Sequence, residues 1–130
     1  MEKKDYIRYR LERADQTFKD AILLLESGSI FSALNRFYYA AFYAILALLR
    51  LNDNIPKTHK GVKLLFNKNY IKTKIIPKKY SNTYSILFNW RQESDYADHP
   101  KIDIDHIEKM IPLIEDLLTY LKNYIKQNTN

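Results

Sequence analysis

The chain has no cysteine, and only two glycines and four prolines in 130 residues. Without cysteine it forms neither a disulfide nor a thiolate metal centre, and a reducing cytoplasm suits it. So few glycines and prolines leave little material for tight turns, which argues against a β-rich or loop-rich architecture. No Gly-rich phosphate loop and no nucleophile elbow occurs. Long apolar runs are lacking too. The longest central stretch without a charged residue, 37–49, has thirteen residues, against the roughly 18 needed to span a bilayer. No membrane span is expected. The N-terminus MEKKDYIRYRLERAD is mixed in charge and has no apolar segment of signal-peptide type. Acidic residues are missing from one whole section: residues 54–92 carry eight lysines, Arg91 and no carboxylate, a net charge of +9. The flanking sections, 1–53 and 93–130, carry +1 and −4, so the whole chain carries +6. A section so basic can attract phosphates. It is equally what a lysine-coated, solvated surface looks like, because lysine spacing alone carries no recognition geometry.

What is present is helical periodicity. A single domain is expected for 1–130, with its core over about 4–126. Ile7, Leu11, Ala14, Phe18, Ala21, Ile22 and Leu25 recur at spacings of three and four, predicting a first helix over 4–27 that ends before Gly28. A second helix is expected over 30–51, antiparallel to the first because the Ser-Gly-Ser connection is short. A third, shorter helix starts after Thr58 as its N-cap and runs to about Asn67. The next residues read as a connector anchored by Tyr70, Ile71, Ile75 and Ile76. Pro77 suits the start of a fourth helix reaching Tyr96. The last helix begins near Asp103 or Asp105 and carries the stripe Ile104, Ile107, Ile111, Ile114, Leu118, Leu121 and Ile125. Pro112 should kink or break it. The predicted fold is all-α: an up-and-down four-helix bundle with one additional short helix.

The most apolar stretch, 33–51, nevertheless carries Asn35, Arg36 and Arg50. On a helix these share an arc of roughly 100° with Tyr39 and Tyr43. That polar side is too narrow and too aromatic for a purely solvated face. In the fourth helix Tyr80, Tyr84, Leu87, Phe88, Arg91 and Asp95 fall on one face, with Arg91 and Asp95 one turn apart. A charged pair directed at a core or an interface needs partners. One polar cluster between the second and fourth helices is therefore expected, made of Asn35, Arg36, Tyr39, Arg91 and Asp95 with Tyr96 nearby. Its two arginines exceed its one carboxylate, so an anion such as phosphate can supply the balance. A ligand-free network that fixes helix register fits the same residues. His59, near a helix start, reads as a surface or capping residue at the border of the cluster. Asp98-His99 and Asp105-His106 lack a third ligand and match no metal-site spacing, so no metal and no cofactor is expected.

The runs SALNRFYYAAFYAILALLR, PKTHKGVKLLF and RQESDY, in this order, resemble the HEPN domain (higher eukaryotes and prokaryotes nucleotide-binding) over about 6–125. The closest likeness is to small stand-alone bacterial and archaeal members with an Arg-x-x-x-Asp-Tyr motif. The resemblance implies a helical bundle, often a homodimer, encoded beside a minimal nucleotidyltransferase as a toxin–antitoxin-like pair. It also implies binding of RNA or nucleotide through Asn35, Arg36, Tyr39 and His59, and in many members metal-independent endoribonuclease activity. Arg91, Asp95, Tyr96 and His99 are the catalytic candidates.

This sequence departs from the nuclease pattern, in which four to six residues separate the Arg from a His. Here those spacings reach Tyr96, Ala97 and Asp98, and His99 comes one residue later. Cleavage through the 2′-oxygen needs proton transfer, for which His is suited and Tyr, with a pKa of about 10, is not. Three readings follow: a toxin-like RNA-binding component that cleaves RNA, a non-catalytic nucleotide-binding or scaffold module, and a purely structural bundle.

Overall fold

The computed structural model describes residues 2–94 and 103–129. Among them are five α-helices: α1 (Lys3–Glu26), α2 (Ile30–Arg50), α3 (His59–Phe66), α4 (Lys78–Ser94) and α5 (Ile104–Gln127). The fold is the expected all-α bundle, four long helices and one short one. Asp95, Tyr96 and His99 lie outside the described residues, and so does the stretch over which the fourth helix was expected to reach Tyr96.

Local chemistry sets the helix ends. After α1, Gly28 takes φ +85°, a conformation that costs glycine nothing. Gly28 N–H donates to Leu25 O and Ser29 N–H to Leu24 O, closing the helix with both orphan carbonyls satisfied. Thr58 caps α3, its Oγ1 accepting from Gly61 N–H at 2.9 Å. A Cβ on Gly61 would stand 2.9 Å from that oxygen, so the cap itself requires glycine here. Of the two candidate caps for α5, Asp103 is the one used, accepting from Asp105 N–H at 3.0 Å. Pro112 does not break α5, which runs on through it. The supposed connector after α3 is partly helical: Asn67–Ile71 forms a wider π-helical turn. It is held by Tyr70, whose hydroxyl donates to Leu48 O at 3.4 Å and accepts from Asn52 Nδ2 at 2.9 Å. Of its predicted anchors Tyr70 and Ile76 are buried, whereas Ile75 is 48% exposed.

α2 is the axis of the bundle and touches each of the other four helices. By length and composition it would pass for a membrane span, yet 61% of its apolar window is buried inside the bundle. Ala33, Ala40, Ala41, Ala44 and Ala47 are fully covered; small side chains let neighbouring helices approach closely. Phe37, Leu34, Ile45 and Leu48 fill the remaining volume. In α5 the buried stripe is Ile107, Met110, Ile114, Leu117, Leu118, Leu121 and Ile125. Ile104, assigned to that stripe from sequence, is 46% exposed at the helix start, whereas Ile107 is fully buried. Polar clamps join the layers. Tyr80 stacks on Tyr120 at 4.4 Å and donates to Asp116 at 3.2 Å, tying α4 to α5. Lys122 pairs with Asp15 at 2.6 Å, tying α5 to α1.

Candidate functional site

The polar ridge of α2 does not meet α4 alone. Between them the start of α3 delivers His59, and the ring becomes the centre of the arrangement. Its Nδ1 lies 2.8 Å from Tyr38 Oη and its Nε2 3.5 Å from Tyr39 Oη. The imidazole also packs on Phe42, ring centroids 4.6 Å apart. Tyr84 of α4 donates to Tyr38 Oη at 3.3 Å. Arg91 lies over the Tyr38 ring, its Cζ 6.0 Å from the centroid. Arg36 covers Tyr39 at 4.9 Å and donates twice to Asn35 Oδ1, at 2.7 and 3.2 Å. A continuous chain of contacts thus runs from Asn35 and Arg36 through Tyr39, His59 and Tyr38 to Tyr84 and Arg91.

Two hollows flank this chain. An open cleft of about 510 Å³ between α3 and α4 is lined by His59, Lys60, Lys63, Phe88, Arg91 and Gln92, among others. Lys63 Nζ stands 4.6 Å from the Phe88 centroid, which orients its ammonium along the cleft wall. A second hollow brings Asn35 and Arg36 against Ser94, at the end of α4. The basic section is therefore divided: Lys60 and Lys63 border the cleft, and Lys72, Lys74 and Lys78 border a separate hollow by Pro77.

Electrostatics in the chain follow from burial. Desolvation pushes the Tyr38 phenol up to about 12, only partly offset by the Tyr84 hydrogen bond and the Arg91 charge. Burial, then the neighbouring Tyr38, raises Tyr84 well above 10. Both stay protonated at neutral pH and act as hydroxyls, Tyr38 on His59 and Tyr84 on Tyr38, not as bases. Tyr38 has two lone pairs and one hydrogen, so it can serve His59 and Tyr84 together.

Of the residues singled out from sequence, Asn35, Arg36, Tyr39, His59 and Arg91 are drawn into one contact chain. Asp95, Tyr96 and His99 fall outside the described residues. His59 is neither capping nor peripheral: Thr58 takes the cap, and the ring is half-buried between tyrosines. Sequence reasoning missed Tyr38, which sits at the edge of the apolar arc of α2, and Tyr84, assigned to the apolar face of α4. A usable signal existed: Tyr84 and Arg91 are seven apart, two turns along one face.

The bundle thus sets a tyrosine-held histidine and an arginine beside one open cleft that two lysines also line. The chain belongs to the HEPN domain family, whose model matches residues 7–124. A "UPF0332 protein" of Thermotoga maritima is 32% identical over 125 residues, 96% of this chain and 95% of that one. A "Putative toxin" of Methanocaldococcus jannaschii is 29% identical over 88% of this chain and 78% of its own length. A second protein of that organism with the same designation is 26% identical over 95% and 92%.

Proposed function

We propose that this chain is the toxin-side component of a two-gene pair and that it acts on RNA at the cleft between α3 and α4. The observation that carries the reading is that Arg91 and His59, from different helices, line one open cleft together with Lys60 and Lys63. Cations of this kind suit a phosphodiester, which supports the reading. The imidazole supplies the side-chain type that the departed motif histidine would have supplied, one able to take up and return a proton.

In the corresponding reaction the 2′-hydroxyl loses its proton as its oxygen attacks phosphorus. The bond from phosphorus to the 5′-oxygen breaks, that oxygen takes a proton, and a 2′,3′-cyclic phosphate remains. With Nδ1–H donating to Tyr38, the Nε2 lone pair of His59 is the proton acceptor, its long contact with Tyr39 yielding to the substrate hydroxyl. The imidazolium so formed returns the proton to the 5′-oxygen. Arg91 neutralises the charge that builds on the phosphoryl oxygens. Asn35, Arg36 and Tyr39 bind the adjoining nucleotide, and Asp95, Tyr96 and His99 stay catalytic candidates on the sequence motif alone. A minimal nucleotidyltransferase encoded alongside, a homodimeric state and a cytoplasmic location belong to the same proposal, supported by the family and by the relatives' toxin designation.

The test is cleavage of RNA in EDTA. Arg91→Ala and His59→Asn should each lower the rate about 100-fold or more; undiminished cleavage by both sinks the site. A second reading has its own support: Gln92 follows Arg91, and no histidine stands at the nuclease spacing. On that reading the cleft holds a nucleotide without turnover for a partner enzyme, and binding without any product would favour it.

A further inference from the structure

The cleft is one end of a longer feature. From Arg36 over Tyr39, tyrosine rings and guanidiniums continue along the α1–α2 surface. Tyr39 packs on Tyr43 at 5.8 Å. Arg10 and Arg13 converge on that Tyr43 ring, 5.4 and 5.6 Å from its centroid. Arg10 also lies 5.2 Å from Tyr6 and 5.7 Å from Tyr9, and Arg50 closes the series 6.0 Å from Tyr6. Only Arg50 is balanced, by Asp53. Among the described residues no carboxylate lies within ion-pair distance of Arg10, Arg13 or Arg36. Two like charges on one ring, without an anion between them, repel. The Arg10 Nε is moreover buried with no hydrogen-bond acceptor.

The geometry points to this arginine–tyrosine ladder as a track for the backbone of single-stranded RNA leading into the cleft, an inference that rests on the RNA reading of that site. Phosphates supply the missing negative charge, accepted in bidentate fashion by guanidiniums whose faces are already fixed on tyrosines. Stacking pre-orders each arginine, so less side-chain freedom is lost on binding than for the solvated lysines of the basic section. The exposed edge of Tyr9 offers a base a π-face. The ladder contributes affinity without reading sequence, because phosphate contacts position and do not specify.

A fluorescent single-stranded oligoribonucleotide titrated against the full chain at several salt concentrations tests this. Arg10→Gln/Arg13→Gln should weaken binding about tenfold and make the dependence on salt shallower by about one to two counter-ions. Arg13→Gln alone, whose one ring contact among the described residues is Tyr43, should do so by about threefold and keep the fold intact should the double variant lose its helical spectrum. Affinity and salt slope unchanged in both variants overturn the ladder. If Arg91→Ala weakens binding in that case, the cleft stands without it; if Arg91→Ala is also silent, the RNA reading falls with it. Polyglutamate bound as tightly as the oligonucleotide, with the same dependence on Arg10 and Arg13, would make this face a dock for an acidic protein and overturn the RNA track.

Discussion

His59 illustrates how little of a residue's role is carried by its type. A histidine in the first turn of a short helix is ordinarily solvated. Here two hydroxyls and a phenyl ring fix its plane, and Tyr38 is the partner at the shorter distance. Replacing Tyr38 with Phe leaves His59 Nδ1 and the Tyr84 hydroxyl without their mutual partner. We expect a loss of about 1–3 kcal/mol in denaturant unfolding, with weaker oligonucleotide binding than stability alone explains. The buried phenols also set an alkaline limit. Tyr38 and Tyr70 ionise at about 12 when folded and near 10 when unfolded. Their folded values are raised, so stability is intact below pH 10 and falls as pH climbs from there toward 12. The last tyrosinate absorbance, that of the buried phenols, should therefore appear together with loss of the helical circular dichroism signal; ionisation of all eleven tyrosines well below that loss would contradict the burial argument. At this scale the sequence displayed Asn35, Arg36, Tyr39 and Arg91 as misfits in apolar settings. Tyr38 and Tyr84 matched their apolar surroundings, and only the seven-residue step from Tyr84 to Arg91 tied one of them to a charged neighbour.

At the scale of elements, α3 does more than its eight residues suggest. It carries His59, Lys60 and Lys63 to the cleft, and its start depends on one capping bond. Thr58→Ala should cost about 1 kcal/mol. Gly61→Ala should cost a similar amount by pressing its methyl against the same hydroxyl, although alanine is the better helix former. Amide exchange in α3 should rise in both variants while α2 stays protected; a stabilised Gly61→Ala would show that the cap yields without loss. The helices themselves were readable from periodicity, to within one residue at both ends of α1 and α2. The π-helical turn was not, because its anchor, Tyr70, is set by Leu48 and Asn52 on another element. The cluster expected between α2 and α4 had His59 of α3 at its border and not at its centre for the same reason: packing angle, not spacing, decides how a third helix closes on two others.

For the whole molecule, charge and exposed apolar surface matter most. The net charge of +6 and the unpaired arginines on the α1–α2 surface predict nucleic-acid affinity that falls steeply with salt. Leu64, 62% exposed at the rim of the cleft, and the exposed Leu23 and Leu113 are candidates for contact with a second copy or with the partner protein. A homodimer at micromolar concentration is expected in sedimentation measurements, and a monomer there would remove that part of the proposal. The helical class, the order of elements and the apolar residues of α2 follow from the sequence alone, because helix periodicity and caps are local and each position reports its own preference. Which side chains meet was decided only by the tertiary structure. Tyr38 holds His59 across 21 positions and Tyr84 holds Tyr38 across 46, and contacts of that range are products of helix packing that no spacing rule encodes.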